Sequence, residues 1–222
     1  MLVLTCFDDM KKYFDEKSKT YDFSDYDTVC FEFDVNFEGR SGKIIANNIN
    51  ATHFDVGMCI VNCSETITAK YIGSGDLSAE TIDAGRLGIG GDVHAGTIKA
   101  DFAHIDYTLS AINIDIKMID ASEIMCFGDM KATRIDIRNV CFAEKSLSIV
   151  FPYGYDNSIV FCRDGDLTIA GNKMDTKYII IGKELDKTEE MLKVEEDAEK
   201  YLEETVFEKY FTKEGDSYVY II

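Results

Sequence analysis

Three histidines, seven cysteines and 41 acidic side chains are the groups in this 222-residue sequence that could carry chemistry. A cysteine nucleophile needs a histidine beside it, and a structural zinc needs four close nitrogen or sulfur ligands. Cys59 and Cys63 have neither a second cysteine pair nor a histidine near them in sequence. His94 lies between Val93 and Ala95, and His104 between Ala103 and Ile105. Alternation with apolar neighbours points both outward, and their separation puts them on different sides of a coil. They form neither a metal site nor a dyad, so the expectation is exposed surface histidine. Asp76 and Asp92 each follow a glycine, while Asp106, Asp120 and Asp136 fall on other turns. Solenoid enzymes that cleave polysaccharides group carboxylates on one outer face. Here the Gly-Asp pairs read more simply as turns, with the Asp side chain bonding local backbone. Gly88, Gly90 and Gly91 form a bend with no helix or lysine after it, which does not make a phosphate cradle. No catalytic residue, cofactor or metal is expected.

What positions these residues is a repeat. Gly75, Asp76, Leu77, Ala79, Thr81, Ile82 and Ala84 recur sixteen residues later as Gly91, Asp92, Val93, Ala95, Thr97, Ile98 and Ala100. Ile114, Ile116, Ile119 and Ile124 map in the same way onto Met130, Ala132, Ile135 and Val140. Within each copy runs a shorter beat, apolar-x-Ala-x-x, marked by Ile67, Ile72, Leu77, Ile82 and Leu87. Two inward residues around one outward residue is strand alternation. The next two residues make a corner, and a beat of five suits no helix. Three sides and one extra residue give a coil of about sixteen residues that must stack to bury its inner face. Asp83, Lys99, Asp115 and Lys131 follow the same spacing with alternating sign. The expected fold is all-β: a single-stranded parallel β-helix, triangular and right-handed, with Ile82, Ile98, Ile114 and Met130 in one inner column.

Hydrophobic residues make up 46% of the chain, yet no apolar run is long enough to cross a bilayer. No basic residue precedes the Leu2, Val3, Leu4 start, and Asp8 and Asp9 follow it. That argues against a signal peptide, and the expected compartment is the cytoplasm. An odd number of irregularly spaced cysteines fits buried free thiols. Net charge is −18, which disfavours direct binding to a nucleic-acid backbone. The acid is concentrated at the ends: −5 over residues 1–40 and −7 over residues 183–222, against −4 over residues 67–140.

The tandem repeat opens with a segment at Cys30, Phe31, Glu32, Phe33, Asp34, Val35 and Asn36. It closes with Val140, Cys141, Phe142 and Ala143. In both phrases it resembles a group of uncharacterised Ile-x-Ala-x-x repeat solenoid proteins of Gram-positive bacteria and their phages. The likeness spans roughly residues 29–170 and implies a fold but no activity. A more general likeness is to the polymer-forming bactofilins.

The flanks complete the expected layout. Residues 1–40 form an N-terminal cap, with a helix at Met10 to Lys19 and aromatic bulk from Tyr13, Phe14, Tyr21, Phe23 and Tyr26. Residues 41–146 are the solenoid. Residues 147–182 add a β-hairpin turning at Arg163, Asp164 and Gly165, since Asp-Gly is a hairpin signal. Residues 183–222 carry an acidic amphipathic helix over 186–211, then a terminal strand from Tyr218. The reading placed first is a non-catalytic module that binds a protein or self-associates. The second is an acidic DNA mimic of phage type that inhibits a basic, nucleic-acid-binding defence enzyme, with Glu195, Glu196, Asp197 and Glu199 as the partner-binding residues. The third is a solenoid enzyme acting on carbohydrate.

Overall fold

A computed structural model describes residues 1–37, 41–154, 158–181, 211–214 and 217–220. It divides into two units, Met1–Gly182 and Lys183–Ile222. The first is the expected solenoid: parallel coils, about eight of them, stacked roughly 17 residues apart.

Each coil has three sides. In the coil that begins at Leu77, residues 77–79 lie on face I, residues 82–84 on face II and residues 87–89 on face III. Leu77 pairs with Val93, Ile82 with Ile98 and Leu87 with Ala103. The inner column of face II therefore reads Val29, Ile49, Ile67, Ile82, Ile98, Ile114, Met130, Leu147 and Leu167, all buried. Its steps are fixed by Val29↔Ile49, Ile67↔Ile49, Ile67↔Ile82, Ile114↔Met130, Met130↔Leu147 and Leu147↔Leu167. Ile98 and Ile114 share one long strand, Val93–Cys126, that runs unbroken through the corners of two coils. A four-sided coil would set Ile67 against Leu87; Leu87 instead pairs with Ile72. Alanine fills the second inward position at 79, 84, 100 and 111, because a narrow coil has no room for two large side chains on every side.

The corners are tied between coils. Asp76 Oδ1 accepts the Asp92 N–H at 3.0 Å, Asp92 Oδ1 accepts the Thr108 N–H at 3.0 Å, and Asn113 Oδ1 accepts the Asp129 N–H at 3.3 Å. The Gly-Asp pairs thus bond the backbone one coil on rather than their own turn. A corner amide points along the stack, so its nearest acceptor belongs to the neighbouring coil. At Gly91 a Cβ would collide with the Asp76 carboxylate, so this bond requires glycine there.

Both ends of the solenoid differ from expectation. The coils begin inside the first 40 residues, where Leu2 pairs with Val29 and Tyr21 with Ile44. The cap is smaller: a helix at Phe7–Met10, a 3-10 turn at Lys11–Tyr13 and a hairpin pairing Phe14 with Tyr21. Met10 is fully buried, and edge contacts link Phe7 to Phe37 and Tyr13 to Tyr26. This closes an apolar coil end that would otherwise face water.

At the other end, residues 163–165 are a corner and not a hairpin turn. The strand Ser158–Cys162 pairs in parallel with residues 140–143, and Leu167–Ile169 in parallel with residues 147–149. The buried Leu147–Leu167 contact outweighs the local turn preference of Asp-Gly. The antiparallel hairpins here join Ser158–Cys162 to Tyr178–Ile181, and Leu167–Ile169 to Asn172–Lys173. The second turns at Ala170 and Gly171, both with positive φ. In the second unit, Phe211–Glu214 pairs antiparallel with Ser217–Tyr220. The helix expected over 186–211 lies almost wholly outside the described residues.

Candidate functional site

Face III gathers groups that the linear sequence separates. Its outward row runs Asp55, Gly73, Gly88, His104, Asp120, Asp136 and Tyr153, as the pairings of Gly73 with Asp55, Gly73 with Gly88, Gly88 with His104, Asp120 with Asp136 and Asp136 with Tyr153 require. His104 is therefore not a solitary surface histidine. Its Nδ1 lies 2.8 Å from Asp120 Oδ2 and its Nε2 3.2 Å from Asp106 Oδ1. Arg138 crosses the same edge, donating from Nη1 to Ser122 Oγ at 2.9 Å and to the Asp106 carbonyl at 3.1 Å. Its Nη2 reaches Asp120 Oδ1 at 3.5 Å. Asp120 and Asp136, expected apart, share this row because they obey the sixteen-residue shift; Asp106, two residues past His104, stands at the adjoining corner in register with Ser122 and Arg138. The same shift that locates the core places residue 104 over 120, and it could have located this cluster.

The cluster contains a Ser, a His and Asps, but not in the order that activates a nucleophile. Ser122 donates its hydroxyl to the Asp106 carbonyl at 2.7 Å, while both nitrogens of His104 face carboxylates. The general base and the hydroxyl do not meet. What the arrangement does is brace: one guanidinium, one imidazole and two carboxylates tie three successive coils together along one edge.

The corner between faces II and III carries a second column. His53 pairs with Tyr71, Tyr71 with Arg86 and Arg86 with Phe102. Met118 pairs with Arg134 and Arg134 with Phe151. One coil step joins Phe102 to Met118, as the 2.5 Å contact between their neighbours Asp101 and Lys117 attests. The rings are ordered against one another. His53 stacks on Tyr71 with centroids 4.7 Å apart, and Tyr71 lies across Gly73 and Gly88. Burial raises the pKa of the Tyr71 phenol, and the Asp55 carboxylate adds to the effect. The Arg86 guanidinium sits 5.4 Å from the Phe102 centroid, and that of Arg134 4.7 Å from the Tyr153 centroid. Met118, Phe151 and Tyr153 are 44%, 52% and 49% exposed.

Face II is polar and of mixed sign. Asp83 faces Lys99 and Asp115 faces Lys131 in register, which bears out the alternating column. Five of the seven cysteines, Cys59, Cys63, Cys126, Cys141 and Cys162, are buried thiols as expected, whereas Cys6 is exposed and Cys30 half-buried. Burial pushes the Cys63 and Cys126 thiols up to about 11 and Cys141 higher still. Glu195, Glu196, Asp197 and Glu199 lie outside the described residues. Among the described residues no helix is long and apolar enough to cross a membrane, and no cluster of His, Cys, Asp and Glu could hold a metal. No family model matches the chain, and neither curated proteins nor solved structures yield a match.

Proposed function

We propose that this protein is a non-catalytic binding module whose braced solenoid presents a preformed surface to a protein partner. The observation that carries this reading is how the outward polar groups of face III are used. His104, Asp106, Asp120, Ser122 and Arg138 bond one another from coil to coil, so they stiffen the solenoid. Beside them, Met118, Phe151 and Tyr153 remain about half exposed on a rigid support. Pre-organised aromatic, Met and Arg side chains are the composition of protein interfaces, and a rigid surface loses little entropy on binding. The test is recovery of a partner by crosslinking in the source cell and reconstitution of the complex from purified components. A saturable complex supports the reading. Turnover of a glycan or small molecule, abolished by Asp120→Asn or Asp136→Asn, would overturn it.

A further inference from the structure

The corner between faces II and III has a charge opposite to that of the chain. From Thr52 to Phe151 its two residues per coil include Lys70, Arg86, Lys117 and Arg134 against the single carboxylate Asp101, with Glu32 and Asp34 at the same corner one coil before, in a protein of net charge −18. Lys117 is already paired with Asp101. Arg86 and Arg134 lie over the faces of Phe102 and Tyr153; Arg134 Nη2 also lies 3.9 Å from Asp136 Oδ2, a long contact that leaves guanidinium donors for a second carboxylate. Between the two arginines along the stack lie Phe102 and Met118. We infer that this corner docks an extended segment of a partner protein, one with carboxylates four residues apart and an apolar side chain midway between them. The inference deepens the binding function proposed above and rests on it.

The spacing comes from two periods. Coils stack about 4.8 Å apart, so three coil steps place Arg86 and Arg134 roughly 14 Å apart. An extended chain advances about 3.3 Å per residue, so positions i and i+4 lie roughly 13 Å apart on one side of the strand. Position i+2 points the same way and falls over Phe102 and Met118. Carboxylates at i and i+4 meet the two arginines, and the apolar side chain covers the half-exposed Met118. A single-stranded nucleic acid could use the same rings and arginines, but it carries a phosphate at every nucleotide. Those phosphates would run beside Asp120 and Asp136 on one flank and Asp83 and Asp115 on the other. A peptide can place its charge only where the arginines are.

The test is selection of random twelve-residue peptides displayed on phage against the full chain, with winners re-measured as free peptides by fluorescence anisotropy. The expected winners carry two acidic residues four apart around an apolar residue. Their affinity should fall at least ~10-fold in Arg86→Ala/Arg134→Ala, and more weakly in Met118→Ala, as for interfacial charge pairs. It should hold within about two-fold in Lys99→Ala/Lys131→Ala on face II, since such changes alter surface charge only. Matched thermal melts exclude misfolding of the variants. Winners without the spaced acids, equal binding by Arg86→Ala/Arg134→Ala, or no enrichment would each overturn the proposal. So would displacement of the peptide by oligothymidylate or a heparin oligosaccharide at comparable concentration. A reconstituted protein complex that survives Arg86→Ala/Arg134→Ala would overturn this surface and leave the binding function standing.

Discussion

Replacing Ile98 by Ala tests the stacking argument at its centre. Ile98 is fully buried and pairs with Ile82 on one side, with Ile114 a coil further on. The change removes three carbons, worth about 0.8 kcal/mol each, or roughly 2.4 kcal/mol of transfer energy. Neighbouring coils are pinned by their backbone ladders and cannot close the gap. A remaining void on the order of 50 Å³ at about 24 cal/mol per Å³ adds roughly 1.2 kcal/mol. The sum, about 3.6 kcal/mol, lies within the usual range for this substitution. At about 2–4 °C per kcal/mol for a chain of this size, the melting temperature should drop by roughly 7–14 °C. Ile98→Asp places a carboxylate in the same dry column and should abolish folding or cost several kcal/mol. Lys99→Ala, one residue away but outward, should cost under ~0.5 kcal/mol. Circular dichroism melts of the three variants suffice. Equal losses for Ile98→Ala and Lys99→Ala would show that the strand faces are misassigned.

Asp76→Ala removes the acceptor of the Asp92 N–H; it should cost about 1–3 kcal/mol and accelerate hydrogen exchange of that amide, whereas Asp76→Asn retains the acceptor and should lose less. Cys6 is exposed and Cys30 partly so, whereas the other five thiols are buried; a thiol-disulfide reagent should titrate no more than two groups in the native protein and all seven in denaturant. Hydrogen bonds from Lys12, first, and from Thr5 hold the Asp9 carboxyl down to about 2. Because the folded value lies below the ordinary 3.8, the stabilisation is full above that pH and is lost as pH falls through about 2. Lys12→Ala should move the Asp9 carbonyl-carbon titration, followed by NMR, back toward 3.8, and no movement would refute the assigned cause.

The fold was legible because a narrow solenoid writes itself at fixed intervals: Ile82, Ile98 and Met130 each had to be apolar, and Ala79 and Ala84 small, for coils to stack. The ends were less legible. Asp164 and Gly165 suit a hairpin turn and a solenoid corner equally. Only the parallel pairing of Leu167 with Leu147, a tertiary fact, decides between them. The first coils are hidden because Leu2 and Val29 are 27 residues apart and Val29 and Ile49 twenty, longer steps than the repeat suggests. On the site, alternation with apolar neighbours turns His104 outward but names no partner; the partner comes from the sixteen-residue shift along the row, which sets Asp120 against it. The corner column escaped for another reason. His53, Tyr71, Arg86, Phe102, Met118, Arg134 and Phe151 have no one residue type in common, and only their pairing reveals a single line.

Hydroxyl-radical footprinting of the complex with its protein partner is the most direct test of the claim that this solenoid works by holding a protein along one corner. Met118, Phe151 and Tyr153 stand at one edge of face III, and Met58 and Tyr107, 75% and 63% exposed, at the other. The account predicts that the partner slows oxidation of Met118, Phe151 and Tyr153 several-fold while Met58 and Tyr107 oxidise at the rate of the free protein. Protection of Met58 and Tyr107 with Met118 and Phe151 unchanged would contradict it.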